Sequence, residues 1–239
     1  MFTRKVSKQT KLILILVILP LYLICGSIIA SAIVKLLVNE FHLTMNQTDA
    51  TAYLNLILDL AYTIICFFAF KDQLKQQWND FKENKKEYLI FGCLVGYAVL
   101  YVANILGGLI TLLLGGGDTS QNQSLIVSLA QNHPLIMFTT SVFMAPFFEE
   151  IIFRGMIFGW LYEVHPVVAH IGSAFIFGFI HVMNAVFSGN IAEMVQIFSY
   201  MFMGFVLSYL YSKKNNILVP MMSHAMNNLI SMIMVFFRL

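Results

Sequence analysis

The chain has 239 residues, of which 59% are hydrophobic and only 11% charged, against roughly a quarter charged in an ordinary soluble domain. With a mean hydropathy of +0.79, 22 Phe and 14 Met, it holds more apolar side chain than one compact core of this size hides from water, so a water-soluble globule is excluded and the solvent is lipid. A formal net charge of +2 gives no basis for a nucleic-acid partner; three cysteines (Cys25, Cys66, Cys93), odd in number and all inside apolar runs, exclude a disulfide-stapled secreted scaffold.

A helix needs about 20 apolar residues to cross a hydrocarbon layer ~30 Å thick. Seven stretches qualify, at residues 12–38, 50–70, 88–114, 135–161, 167–187, 192–211 and 217–237. They are continuously apolar, without the alternation of a lipid-facing strand, so the expected fold is an all-α polytopic membrane helix bundle. The first stretch has a basic lead (Arg4, Lys5, Lys8, Lys11) and an Ala30-Ser31-Ala32 triplet. It is too long for a cleaved signal peptide and reads as a retained helix. The expectation is one integral membrane domain over residues 1–239, in which residues 1–134 form N-terminal helices of unassigned role and residues 135–237 the catalytic core.

Orientation follows from Lys and Arg, which gather in cytoplasmic loops. Eleven of the fourteen precede the first span, lie between the second and third (Lys71, Lys75, Lys82, Lys85, Lys86), or lie between the sixth and seventh (Lys213, Lys214). The opposite loops, 39–49, 115–134 and 188–191, carry none. The expected protein is multi-pass in the cell membrane, with its N-terminus cytoplasmic and, with seven spans, its C-terminus outside.

Ionisable groups inside a span each cost ~2.5–3.5 kcal/mol or more to insert, and so mark function by default. Taken along the chain, Asp59 is the first, with Tyr62 nearby. The run Glu149-Glu150-Ile151-Ile152-Phe153-Arg154 is the second. Glu150 and Arg154 are four apart on one helix face and can pair. Glu149 projects about 100° away, so it is the carboxylate less committed to Arg154 and suited to act as a base. A structural buried ion pair with an extra acid attached is the alternative. His181 shares a helix face with Phe177, four residues earlier, whereas His170 reads as a packing residue. His224 and Asn228, again four apart, offer an imidazole and a carboxamide to the same point; Asn227 points toward a neighbouring helix. Counted by helical rise, these depths allow one cavity near the cytoplasmic side.

These residues resemble the CAAX protease and bacteriocin-processing family, also called the abortive-infection family of intramembrane glutamic endopeptidases, related to the type II prenyl-protein peptidases. Its ordered motifs EExxxR, FxxxH and HxxxN are matched by Glu149-Glu150 with Arg154, Phe177 with His181, and His224 with Asn228. Gly204, Ser208, Leu210-Tyr211 and the Asn216-Ile217-Leu218-Val219-Pro220 run lie between the last two, as is usual in the family. The resemblance covers residues 143–230. It implies that Glu149 and His181 activate a water that attacks a peptide carbonyl, that His224 and Asn228 steady the oxyanion, and that Glu150, Arg154 and Phe177 organise the site. It implies a peptide or membrane-protein substrate, a lipid bilayer as surroundings, and no cofactor or metal. It associates bacterial members with bacteriocin self-immunity or secreted-peptide processing. The family core has eight helices where seven are counted here, so residues 155–162 are a candidate separate helix.

Other chemistries fit less well. Two Glu and two His are a potential zinc set, but HExxH is absent and Arg154 disfavours a nearby cation. Gly115-Gly116-Gly117-Asp118 matches the letters of an intramembrane aspartyl protease motif but sits in a polar loop and reads as a turn. Neither Ser173 nor Ser223 has an evident base partner. A non-hydrolytic immunity partner or transporter stays open, since buried Glu, Arg and His also line transport paths; no internal repeat supports it.

Overall fold

The computed structural model describes residues 20, 22, 26–40 and 46–237. The basic lead, Cys25 and much of the expected first span lie outside the described residues. Among the described residues there are eight helices and no strands: α1 (Gly26–Glu40), α2 (Gln47–Glu83), α3 (Lys85–Leu113), α4 (Gln121–Asn132), α5 (Pro134–Val164), α6 (Pro166–Phe187), α7 (Ile191–Lys214) and α8 (Leu218–Phe237). Six of them, α2, α3, α5, α6, α7 and α8, are long and apolar enough to cross a membrane. The fold is a polytopic all-α membrane bundle.

Punctuation residues set the boundaries. Asn46 caps α2, its side chain accepting the Asp49 N–H at 2.8 Å. The helix kinks at Phe70 (φ −122°, ψ 17°), the residue at which the apolar run stops, and continues as a polar extension. That extension is anchored by the α7–α8 turn: Asn216 donates to the Gln77 carbonyl at 2.9 Å and to Asp80 at 2.7 Å, and the Ile217 N–H donates to the Gln77 side chain at 2.7 Å. Asn215 takes the left-handed conformation (φ 51°) that ends α7. Gly115, at φ 84°, turns the chain out of α3. Residues 155–162 are not a separate helix: they continue α5, which runs unbroken to Val164 and stops where His165 becomes extended ahead of Pro166.

The loop expected over 115–134 is largely a helix, α4, with Ser120 as its N-cap accepting the Gln123 N–H at 3.0 Å. Its composition is polar, which reads as loop along the chain. A short polar helix is stabilised here by contacts with other elements. Gln121 donates its N–H to Glu193 at 2.6 Å, and Ser120 and Tyr200 share a hydrogen bond of 2.6 Å.

α5 is the most buried of the spans, with Arg154, Phe153, Phe158 and Ile151 fully inside. It is wound irregularly, with π-helical stretches at Thr140–Met144 and Ile151–Phe158 on either side of Ala145–Glu150. Pro146 supplies one cause, since it has no N–H for the preceding turn; wide turns of this kind are frequent at functional sites.

Small residues let the helices approach, the usual device where lipid leaves little hydrophobic drive between them. A Cβ on Gly107 of α3 would lie 2.8 Å from the Ser199 Cα and 3.1 Å from the Phe198 carbonyl oxygen of α7. Backbone cannot yield as a side chain does, so Gly107→Ala is expected to destabilise the bundle by about 1–3 kcal/mol. The neighbouring Gly108, with nothing within 4 Å of its Cβ position, is the matched control. Thermal unfolding midpoints of the two variants in detergent check this, equal midpoints counting against close α3–α7 packing.

Candidate active site

The α5 carboxylates point into the bundle. Glu150 is fully buried, as is Arg154, and their side chains pair at 3.2 Å as the four-residue spacing implied. Arg154 also donates to the Gly204 carbonyl of α7 at 3.0 Å and lies 4.7 Å over the Phe177 ring. Two buried carboxylates and one guanidinium cannot be left dispersed in a dry interior; each ion needs a partner. Glu150 satisfies a second group through the same oxygen, accepting the His224 Nδ1–H at 2.9 Å. That bond fixes the ring and leaves His224 Nε2 facing Glu149 Oε2 at 3.9 Å.

Glu149 is the less committed acid. It makes no hydrogen bond to Arg154; its Oε1 accepts from the Tyr22 hydroxyl at 3.3 Å. Asp59 of α2 lies within electrostatic range of both Tyr22 and Glu149. On α6, the His181 Nδ1–H donates to the Phe177 carbonyl at 2.7 Å, so in the neutral imidazole Nε2 presents a lone pair. The His181 ring stacks on Tyr200 of α7 with centroids 4.4 Å apart and planes at 20°, and Tyr200 is in turn held by Ser120. On α8, Asn228 donates to the Ser141 carbonyl of α5 at 2.8 Å, and Asn227 accepts from Asn104 of α3 at 2.8 Å. His170 bonds Ser208 at 2.7 Å and packs on Phe158, in keeping with a packing role.

Glu149, His181, His224 and Asn228 line one cavity of about 150 Å³. Glu150, Arg154 and Phe177 stand behind it, holding His224 and His181. The arrangement offers a water molecule two proton acceptors, the Glu149 carboxylate and His181 Nε2, next to an amide that can donate and an imidazole, His224, whose Nε2 donates when the ring is protonated. Among the described residues no cluster of three or more His, Cys, Asp or Glu is arranged to hold a metal.

Two features differ from the sequence reading. Tyr22, Tyr200, Asn104 and Ser141 brace the site, yet a single tyrosine, asparagine or serine in an apolar run carries no signal of its partner. The cavity is also walled in part by a segment whose composition reads as loop. Asn122, Gln123 and Ile126 of α4 form part of its wall, so it lies against residues 115–133 and not against the Lys-rich ends. Helical rise places the residues along their own helices but carries no information on α4, whose polar composition reads as loop.

Residues 131–230 match the family model described as type II CAAX prenyl endopeptidase Rce1-like. Among curated proteins the chain is 28% identical over 191 residues to the "Putative membrane peptidase YdiL" of Bacillus subtilis, covering 79% of this chain and 74% of that protein. It is 29% identical over 192 residues to the membrane-embedded CAAX protease MroQ of Staphylococcus aureus, covering 76% and 72%. It is 26% identical over 140 residues to the UPF0177 protein YvdC of Lactococcus lactis, covering 59% of this chain and about half, 51%, of that one. No solved structure matches the chain.

Proposed function

We propose, from the match of residues 131–230 to the type II CAAX prenyl endopeptidase Rce1-like family model, that this chain is a membrane-embedded glutamic endopeptidase. The observation that carries this reading is the meeting of Glu149, His181, His224 and Asn228, drawn from α5, α6 and α8, around one cavity. Glu149 takes a proton from a water that His181 Nε2 also holds. The water oxygen bonds to the scissile carbonyl carbon, whose oxygen becomes an oxyanion facing the Asn228 amide and, when protonated, His224 Nε2. Donors aimed at developing charge in a site shielded from bulk water are commonly the largest catalytic contribution. As the tetrahedral species collapses, Glu149 returns its proton to the departing amine and the C–N bond breaks. Glu150 and Arg154 touch no reacting atom; they hold His224 and the α5–α7 packing in place.

The hydrolytic core in this reading is residues 135–237, and Tyr22 and Asn104 of α3 brace it. The substrate is a peptide or a membrane-proximal protein segment. The resemblance to bacteriocin-processing proteins supports a role in self-immunity or secreted-peptide processing. Support for a metal-independent route comes from charge: the Arg154 guanidinium already pairs with Glu150 at 3.2 Å, and a positive charge beside the two acids disfavours a cation there.

The test is cleavage of a mixed peptide library by the protein in lipid nanodiscs, with products identified by mass spectrometry. Cleavage that persists in EDTA and in 1,10-phenanthroline is expected. Loss of activity to chelator with recovery on adding zinc would replace the glutamic route by a metal route. Intact biological activity in a chain that cleaves nothing would make it a binding partner.

A further inference from the structure

We infer that the cavity is reached from the extracytoplasmic side, so that its substrates are exported peptides or chain segments in the outer leaflet; this rests on the peptidase reading above for what the cavity does, though not for where it opens. Two further cavities share walls with the first. One, of about 300 Å³, runs from His181 past Asn122 and Asn184 to Ser188, where α6 ends. The other, of about 240 Å³, runs from Asn227 and Tyr200 to Asp118 and Thr119, before α4 begins. His181 and Asn122 belong to both the first cavity and the 300 Å³ one, and Tyr200 and Asn227 to both the first and the 240 Å³ one. The polar path from the reacting groups therefore leads to residues 115–123 and 184–190.

That end of the bundle is where α3 finishes, α5 begins, α6 finishes and α7 begins, and residues 114–133 and 188–190 contain no Lys or Arg. The opposite end, formed by the α2–α3 and α7–α8 junctions, holds Lys71, Lys75, Lys82, Lys85, Lys86, Lys213 and Lys214. Short basic loops stay in the cytoplasm, so the polar path faces outward. The path also fits an extended peptide. The side-chain amides of Asn122, Gln123 and Asn184 supply both donors and acceptors, as a peptide backbone requires, and Asp118 adds a carboxylate at the outer end of the 240 Å³ cavity. The mouth is firmly built, since Gln196 donates to the Gly117 carbonyl at 2.8 Å and Glu193 accepts the Gln121 N–H.

The experiment places single cysteines in the full chain with its native cysteines replaced: Thr119→Cys and Asn184→Cys at the mouth, Glu83→Cys at the basic end, all at exposed positions. Intact cells are treated with a membrane-impermeant maleimide, and a permeant maleimide confirms that each thiol reacts. Labelling of the first two in intact cells, and of Glu83→Cys only after the membrane is opened, is expected. Thiols at 119 and 184 that react with the permeant reagent but not the impermeant one would overturn the inference. Should the cysteine-free chain fail to insert, an alkaline phosphatase fused after α8 in the native chain reads the same side: active enzyme supports the inference and inactive enzyme overturns it. A bulky maleimide on Asn184→Cys should also stop cleavage of an exported reporter peptide. Labelling as expected with no peptide ever cleaved would sink the peptidase reading and leave the sidedness standing.

Discussion

Replacing Glu149 with Gln should reduce peptide cleavage by a factor of about 10² to 10⁴, the range a positioned general base contributes, while the protein stays folded. Gln keeps the shape of the side chain and can still accept from the Tyr22 hydroxyl, which sits 3.3 Å from the Glu149 carboxylate. What it loses is the ability to take a proton from water and return it to the leaving amine. His181→Ala should fall into the same range, because its Nε2 is the second acceptor and its Nδ1 is held by the Phe177 carbonyl. The two residues act on one water, so the double variant should be little worse than either single one. Turnover on the peptide identified in nanodiscs, with circular dichroism as the folding control, decides the matter. A Glu149→Gln variant that stays within about tenfold of the parent rate, well short of a general base's contribution, would remove Glu149 from the role of base.

Arg154→Met should instead cost stability, by about 3–5 kcal/mol, the usual penalty for breaking a buried ion pair from one side. Arg154 and Glu150 are both fully buried and 3.2 Å apart. Removing the guanidinium leaves the Glu150 carboxylate in a dry interior with His224 as its remaining partner, at 2.9 Å. It also removes the bond to the Gly204 carbonyl and the contact over the Phe177 ring. Unfolding midpoints in detergent measure the loss. Because the cost is that of an unmatched charge, the Glu150→Gln/Arg154→Met double variant should recover part of it. A double variant as unstable as the sum of its parts would show that the two side chains do not depend on each other.

The two variants separate what the neighbouring acids do. Glu149 faces the cavity and carries the chemistry in the proposed route, so its loss should appear in rate. Glu150 faces Arg154 and His224, so disturbing it should appear first in stability and only through His224 in rate. Helical spacing alone divided them in this way, since residues four apart share a face and residues one apart do not. The same within-helix logic identified Phe177 with His181 and His224 with Asn228, and the structure brings both pairs to the same region of the bundle.

Other parts of the site were not legible in the chain. The 37 residues of α2 outrun the apolar stretch of 50–70, because the extension past the Phe70 kink is held by Asn216 and Ile217 from the far end of the chain. α4 has a polar composition that reads as loop. It is a helix because Glu193 and Tyr200 satisfy its first turn, and it is this helix that walls the cavity on the side without lysine. Tyr22 and Tyr200 likewise take their roles from partners 127 residues distant or carried on another helix.

The sequence by itself determined that the chain lives in lipid, that it crosses as helices, which ends are basic, and which polar groups share a helix face. Those properties depend on composition and on the 3.6-residue repeat, both of which are local. Only the tertiary structure decided which helices are neighbours, which hydroxyl reaches Glu149, and that α4 walls the cavity. Hydrogen bonds between helices in a dry interior depend on which backbones come close enough to touch, and that closeness is set by small residues such as Gly107, Gly178 and Gly204 acting together across the bundle.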